Sequence, residues 1–205
     1  MTPQAAHTGG YTSSNLRKHT NPNPLQRLLL DRFHSVAAGL LARATPAPQR
    51  ILDAGCGEGF AMRAVLADVA AEVVGLDGSA GALHVASGLN PGRSFAAGDL
   101  YALPFPDRSF DMVVCMEVLE HLDEPARGLR ELCRVSARWL LLSVPNEPLF
   151  RGANFLRGKN VRAWGNDPGH VNHWSAAAFL RFVSAHATVV ASRTSFPWTL
   201  ALCRV

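Results

Sequence analysis

The sequence predicts an α/β fold: a doubly wound, mostly parallel seven-stranded sheet with helices on both faces and an antiparallel hairpin at its C-terminal end. Three observations carry that expectation. Short apolar runs recur at Ile51–Leu52, Val73–Leu76, Phe110–Cys115 and Trp139–Val144, the pattern of strands buried on both faces. Segments with apolar residues at helical spacing lie between them, as in successive βα units, of which the chain has roughly five. At the end of the chain two strand-like runs, Thr188–Ser195 and Pro197–Val205, are joined by a short turn and read as a hairpin on the sheet edge.

The elements follow in order. Residues 1–22, rich in Thr, Ser, Asn, Gly and Pro, read as a polar N-terminal arm that is at least partly mobile. It is either a solvated tail or a flap over a pocket, and in the second case Tyr11, Lys18 and His19 are its ligand-facing candidates. Asn23 caps a helix over residues 24–43 with Pro24 at its first position. Leu25, Leu28, Leu29, Phe33, Val36, Leu40 and Leu41 recur at helical spacing, so one face packs on a core. The first strand ends at Asp53, and a glycine turn leads into a helix reaching roughly Val69. Glu72–Asp77 is the second strand, Ala80–Ser87 a short helix and Arg93–Ala97 the third strand, ending at Gly98-Asp99-Leu100. Leu103-Pro104-Phe105-Pro106-Asp107 is a rigid turn. Phe110–Cys115 is the fourth strand, Glu124–Val135 a helix with Leu129, Leu132 and Val135 inward, and Trp139–Pro145 the fifth strand. Residues 145–173 break any long period at Gly152, Gly158, Gly165, Pro168 and Gly169. They carry Arg151, Arg157, Lys159 and Arg162, and read as an irregular lid or acceptor insertion. His170, His173 and Trp174 close it, before an apolar helix with Phe179, Leu180, Phe182 and Val183.

Composition bounds the possibilities. A chain of 205 residues, 48% hydrophobic, is expected to form one domain with an arm. No run of 18 uncharged apolar residues occurs, so no membrane span is expected. The first residues (Thr2, Gln4, His7, Thr8) lack the apolar core of a signal peptide, which points to the cytoplasm. Cys56, Cys115, Cys133 and Cys203 form no C-x-x-C pair and have no histidine in metal spacing, so neither zinc nor a disulfide framework is expected. Net charge is +4 with no dense basic run, and nucleic acid is not indicated.

The stretch Ile51-Leu52-Asp53-Ala54-Gly55-Cys56-Gly57-Glu58-Gly59-Phe60 organises the chain. Its glycines remove β-carbons from one side of a strand-to-helix turn, so backbone can approach a ligand and adopt positive φ. The following helix presents free N–H groups. Such a loop opening a βα unit is a nucleotide-type cofactor site. The spacing is G-x-G-x-G rather than the dinucleotide G-x-G-x-x-G, and alone it also fits an ordinary βα turn. Asp77 ends the second strand 24 residues after Asp53. Its carboxylate either accepts both hydroxyls of a ribose or caps the helix beginning near Ser79. Asp99 either accepts from an adenine amino group, with the Leu100 N–H reading a ring nitrogen, or forms an Asx-turn.

Four stretches in this order resemble the class I S-adenosylmethionine-dependent methyltransferases, of the Rossmann-like, small-molecule type. They are Ile51–Gly59; Val74-Gly75-Leu76-Asp77; Gly98-Asp99-Leu100 with Leu103-Pro104-Phe105; and Phe110-Asp111 with Glu117-Val118-Leu119-Glu120-His121-Leu122. The likeness covers about residues 50–145, and the hairpin is similar to the family's reversed last strand. The resemblance implies S-adenosyl-L-methionine as cofactor, S-adenosyl-L-homocysteine as product and no metal. It implies that Gly55, Cys56, Gly57 and Gly59 wrap the methionine part and that Ala54 is among the cofactor-binding residues, while Asp53 holds the loop and reaches the cofactor amino group directly or through water. Asp77 would bind the ribose diol. Gly78 and Ser79 would flank the adenine, Gly78 standing where the family carries an apolar packing residue. Asp99 and Leu100 would read the adenine edge, and Met116 and Glu117 would line the sulfonium end. His121 matches a residue often found in this motif, as pocket wall or as catalyst.

Methyl transfer from a sulfonium is a one-step displacement that asks the protein for alignment and exclusion of water. A hydroxyl acceptor benefits from a base within reach; His170, His173 and His121 are the candidate imidazoles, against their plainer reading as polar surface. The expected acceptor is a small molecule, methylated on a hydroxyl, amine or carbon, and the insertion's apolar and basic mix suits a hydrophobic body with a negative group. Competing readings are a cofactor-binding regulator without turnover, an RNA or protein methyltransferase, and a nicotinamide dehydrogenase. The identity of the acceptor and the oligomeric state are not readable.

Overall fold

The computed structural model describes residues 11–156 and 169–205. Its strands are β1 (Arg50–Ala54), β2 (Glu72–Asp77), β3 (Ser94–Ala97), β4 (Phe110–Met116), β5 (Ser136–Pro145), β6 (Thr188–Ser195) and β7 (Trp198–Arg204). They form one sheet in the order β3-β2-β1-β4-β5-β7-β6. β1 to β5 pair in parallel, and β7 lies antiparallel between β5 and β6. The helices are α1 (Ser14–Thr20), α2 (Pro24–Leu41), α3 (Phe60–Val65), α4 (Ala80–Leu89), α5 (Pro125–Val135), α6 (Glu147–Leu156) and α7 (Ala176–Ser184).

Side chains alternate across the sheet with the period of two that a strand imposes. Met112, Val114, Leu200 and Leu202 enter one core with α2 and α3. Val113, Cys115, Ala201 and Cys203 enter the other with α5 and α7. Burial on both faces is why these strands read as unbroken apolar runs. The order leaves β1 flanked by β2 and β4, so successive connections depart to opposite sides there. That crevice, at the carboxyl ends of the strands, is where an open α/β sheet takes its ligand.

α2 starts as its sequence dictates: Asn23 Oδ1 accepts from the N–H of Leu25 and of Gln26, with Pro24 at the first position. Its buried stripe is Leu30, Phe33, Ala37, Leu40 and Leu41. Leu25 and Leu28, expected inward, are 58% and 64% exposed, because Leu28 is out of phase with that stripe and Leu25, in the first turn, precedes its first member, Leu30.

Four boundaries differ from the sequence expectation. The stretch read as a polar arm holds α1, whose Ser13 cap accepts from the Leu16 N–H. α3 stops at Val65 rather than near Val69, with the Leu66 N–H closing the last turn on Met62 O. No helix joins β3 to β4. Pro104 and Pro106 lack the N–H a helix would need, so the expected rigid turn stands there and the βα units number four rather than roughly five. Within the 145–173 insertion, Glu147–Leu156 is the helix α6. Arg157, Gly158, Lys159, Arg162, Gly165 and Pro168 lie outside the described residues, as do Thr2, Gln4, His7 and Thr8. Among the described residues no helix is long and apolar enough to cross a membrane. All four cysteines are free thiols.

Candidate active site at the carboxyl edge of the sheet

The ends of β1, β2 and β4 and the turn after β3 enclose a cavity of about 840 Å³. Its floor is the glycine turn. Gly55, Gly57 and Gly59 have φ of +77°, +51° and +75°, the left-handed region that favours glycine. The N–H groups of Gly55 and Cys56 donate to Leu76 O at 2.7 and 2.9 Å. A β-carbon on Gly55 would stand 2.6 Å from Val118 Cγ2. Asp77 ties the turn to the second strand: its Oδ2 accepts from the Gly57 N–H at 2.9 Å and its Oδ1 from the Ser79 N–H at 2.8 Å. Ser79, not Asp77, caps α4, accepting from the Ala82 N–H. Each Asp77 oxygen keeps capacity for a further donor. Asp99 does form the Asx-turn, accepting from the Tyr101 N–H at 2.8 Å, and it is exposed at the cavity wall.

Asp53 is 2% exposed, and its Oδ2 has no hydrogen-bond partner among the described residues. Burial, followed by the nearby Asp77 charge, pushes its pKa from 3.8 up to about 7. A buried, unpartnered carboxylate oxygen beside a cradle stripped of β-carbons fits a ligand carrying an ammonium group, as the amino-acid part of S-adenosylmethionine does.

One wall is built by the N-terminal segment. Glu58, 2% exposed, accepts from Tyr11 Oη at 3.2 Å, from Asn15 Nδ2 at 2.5 Å and from Ser13 Oγ. The His19 ring stacks on Phe60 at 4.4 Å and 5°, and on His34 at 5.7 Å. Burial, then the Lys18 charge, lowers the pKa of His19 to about 3 and of His34 to about 4. Lys18 Nζ lies 3.6 Å from Glu117 Oε2 and 5.0 Å from the centre of the Trp198 ring.

Glu117 leaves β4 with a φ of +60°, a conformation that costs a non-glycine residue free energy. It is held there: its N–H donates to Ser143 O at 3.2 Å, and its carboxylate accepts from Ser143 Oγ at 3.3 Å and Trp198 Nε1 at 2.5 Å. The bend aims the chain into a 3-10 turn, Leu119–His121.

Beyond that bend lies a second cavity of about 800 Å³, with Leu25, Leu29, Phe150 and Phe196 in its apolar wall. Asn15, Lys18, Leu30, Glu117 and His121 border both cavities. Glu120 and His170 border the second one. Glu120 is 1% exposed; burial first, then Glu117, holds its carboxyl well above the usual range. His121 Nδ1 is 2.6 Å from Gly169 O, and His170 Nδ1 is 2.7 Å from Glu147 Oε1. The two rings meet edge to face at 5.1 Å.

Of the residues singled out from sequence, Asp53, Gly55, Cys56, Gly57, Asp77, Gly78, Ser79, Asp99, Leu100, Met116, Glu117 and His121 line the first cavity together. Ala54 and Gly59 do not. Ala54 is fully buried in the α5–α7 core, and Gly59 is the cap of α3, packed against Asn90 and Ala86. His121 and His170 come together. His173 lines neither cavity; its Nδ1 stands 3.5 Å from Glu147 with 37% of the side chain exposed. Sequence reasoning missed Glu58, Phe60, His34, Glu120, Glu147 and Trp198. Glu58 had a signal: a carboxylate between two glycines of a buried turn needs donors from elsewhere.

Residues 52–138 match the family model described as a methyltransferase domain. The chain is 37% identical over 121 residues to a probable S-adenosylmethionine-dependent methyltransferase of Mycolicibacterium smegmatis, a match covering 58% of this chain and 46% of that one. It is 42% identical over 88 residues to the demethylmenaquinone methyltransferase of Renibacterium salmoninarum, covering 43% and 37%. The chain spans less than half the length of these curated relatives. Among solved structures, the magnesium protoporphyrin IX methyltransferase of Synechocystis PCC 6803, with bound SAH, superposes with a TM-score of 0.69 at 22% identity, covering 92% of this chain and 91% of that one. That likeness is one of fold.

Proposed function

We propose that the chain, whose residues 52–138 match a methyltransferase-domain model and which is 37% identical over 121 residues to a probable S-adenosylmethionine-dependent methyltransferase, is a class I enzyme of that kind and moves a methyl group from S-adenosylmethionine to a small-molecule acceptor with an apolar body. The observation that carries this reading is the junction of two cavities. A glycine-and-carboxylate cradle adjoins an apolar-walled chamber of drug-sized volume through the shared residues Glu117 and His121.

In this reading Gly55, Cys56 and Gly57 hold the amino-acid part of the cofactor by backbone, and the unpartnered Asp53 Oδ2 takes its amino group. Asp77 takes the ribose hydroxyls with the lone pairs its backbone donors leave free. Gly78 and Ser79 flank the adenine, while Asp99 and Leu100 meet its edge. Met116 and Glu117 line the end of the cradle nearest the second cavity. When bound, the cofactor supplies a methyl group already activated on a sulfonium. The chain's own task is then to align and to keep water out. α1 serves exclusion: through the Asn15–Glu58 bond and the His19–Phe60 stack it closes the wall that solvent would otherwise enter. Leu25, Leu29, Phe150 and Phe196 favour an apolar acceptor body by removing its surface from water. The demethylmenaquinone methyltransferase relative acts, by its name, on an acceptor of that kind.

The test is calorimetric titration with S-adenosylmethionine, S-adenosylhomocysteine and NAD, followed by transfer of labelled methyl to alkylated quinols and phenols. Saturable binding of the first two, weakened at least tenfold by Asp77→Ala, with label appearing in an acceptor, is the expected result. Binding of NAD alone refutes the cofactor assignment. Cofactor binding with no transfer to any acceptor would leave a cofactor-sensing protein.

A further inference from the structure

Glu120, His121 and His170 stand at the acceptor chamber, and cofactor binding uses none of the three in full. A carboxylate oxygen of Glu120 and one ring nitrogen of each histidine all lie within 4.8 Å of one another. We propose that these three residues form a binding site for one divalent transition-metal ion of the zinc, cobalt and iron(II) class.

The first argument is the unmet demand of Glu120. Both its carboxylate oxygens are buried and have no hydrogen-bond partner among the described residues. Buried carboxyl oxygens left without a partner are costly unless a donor or a cation reaches them. An ion bound at about 2.1 Å in a tetrahedron needs its ligands about 3.4 Å apart, within a small side-chain adjustment of the arrangement present.

The second argument is the preparation of both rings. Gly169 O can only accept, so His121 Nδ1 carries the proton and donates to it at 2.6 Å. His170 Nδ1 likewise donates to the Glu147 carboxylate at 2.7 Å. With Nδ1 serving as donor, the neutral form of each ring presents its lone pair on Nε2, the form that ligates a metal. An imidazole whose other nitrogen is held by a carbonyl or carboxylate is the usual outer support of a metal-bound histidine. Glu147 is itself 4% exposed.

The third argument is the scaffold. Residue 170 is far in sequence from the turn carrying 120 and 121, yet it is stitched to it. The N–H groups of Val171 and Asn172 donate to Glu120 O at 2.9 and 3.0 Å. Asn172 Nδ2 donates to Leu122 O at 2.6 Å and to Leu119 O at 3.3 Å. Rigid supports of this kind keep ligands near binding geometry before the ion arrives.

Two imidazoles and one carboxylate select a transition metal over magnesium or calcium, which prefer oxygen alone. Three protein ligands leave a position open, available to an oxygen of the acceptor. That last use rests on the methyltransferase reading above; the ion site does not. The absence of C-x-x-C and nearby histidine spacing, which argued against zinc from the sequence, has no bearing on ligands gathered from two separate segments.

The test uses the full chain after dialysis against a chelator, titrated with Co²⁺ alone and followed by visible d–d absorption. One equivalent should bind with the bands of a nitrogen- and oxygen-ligated ion; Zn²⁺ should displace it and Mg²⁺ should not. Glu120→Gln and His170→Ala should each weaken Co²⁺ binding by more than about 100-fold, and Glu147→Gln by about 10- to 100-fold. Calorimetric binding of S-adenosylhomocysteine to each preparation reports that the fold is intact. Wild-type protein that binds S-adenosylhomocysteine but no Co²⁺ overturns the site, as do Glu120→Gln and His170→Ala proteins that bind Co²⁺ like wild type. Co²⁺ binding without S-adenosylhomocysteine binding would instead sink the cofactor reading and leave the metal site standing.

Discussion

Replacing Asp53 by asparagine removes a carboxylate that burial and Asp77 hold at a pKa of about 7 instead of 3.8. In the free protein the group is therefore half protonated at pH 7 and about 99% protonated at pH 5. If the ligand's ammonium binds the ionised form, affinity must follow the ionised fraction. From pH 7 to pH 5 that fraction falls about 50-fold, equal to about 2.3 kcal/mol of binding free energy. The amino and carboxyl groups of S-adenosylhomocysteine keep one charge state across this window. Calorimetric titration at pH 5, 6 and 7, in two buffers of different ionisation enthalpy, measures both the affinity and the proton released. Wild type should bind about 50-fold more weakly at pH 5 and release close to one proton per ligand there. Asp53→Asn should bind weakly with no pH dependence. Affinity constant within about twofold over the window, or an equal slope in Asp53→Asn, would refute the assignment. Stability without ligand carries the opposite sign. The raised pKa means the native state holds the proton more tightly than the unfolded chain, so stability is greatest below about pH 4 and is lost as pH rises through about 7. The ceiling is about 4 kcal/mol for a shift of about three units, and Asp53→Asn should recover part of it at pH 8 in urea unfolding.

Three further outcomes follow from the site's construction. Gly55→Ala places a β-carbon at φ +77° and 2.6 Å from Val118 Cγ2. The backbone conformation alone costs about 1–2 kcal/mol, so urea unfolding should show at least that loss together with weakened S-adenosylhomocysteine binding. Glu58→Ala deprives Tyr11, Ser13 and Asn15 of their shared acceptor. Tryptic cleavage at Arg17 and Lys18 should then speed up severalfold while the rest of the chain stays resistant. His19 is kept neutral with its pKa at about 3; a lowered pKa gives docking strength that is present above about 6.5 and fades as pH falls toward 3. Cleavage at Lys18 should accelerate below pH 6 in wild type, and His19→Phe, which keeps the stack on Phe60, should flatten most of that dependence.

The strands and their two-sided burial were legible because a strand buried on both faces has a simple signature, a short run such as Met112–Cys115 with no polar interruption. The cradle was legible because Gly55, Gly57, Asp77 and Asp99 sit at strand ends, and parallel topology brings those ends to one edge. α1 was not. Seven residues of polar helix are marginal alone in water, and what orders them is a contact across the chain to Glu58 that no local pattern records. The exposure of Leu25 and Leu28 was equally hidden. Helical spacing says that apolar residues share a helix, but the sheet decides how wide a stripe it covers.

The acceptor side shows the same limit from another direction. Glu120 and His121 are neighbours in a motif that resembles a family pattern, and His170 stood in a segment read as a loop. Nothing in their spacing joins them. They are joined by Val171, Asn172 and Gly169, whose backbone and amide groups bond the Leu119–His121 turn and its first histidine. The backbone bonds among these are made by groups every residue carries, and the side-chain bonds reach across about 50 residues, so composition and periodicity are silent about them. The consequence is testable through Asn172. Its side-chain amide bridges Leu119 O and Leu122 O, so Asn172→Ala should loosen the clasp without touching a proposed ligand. Losing both bonds, at about 1 kcal/mol each, should weaken Co²⁺ binding by roughly 10- to 30-fold while S-adenosylhomocysteine binding stays within about twofold of wild type. Unchanged Co²⁺ affinity would mean that the turn holds its ligands without the clasp, and that the scaffold argument fails.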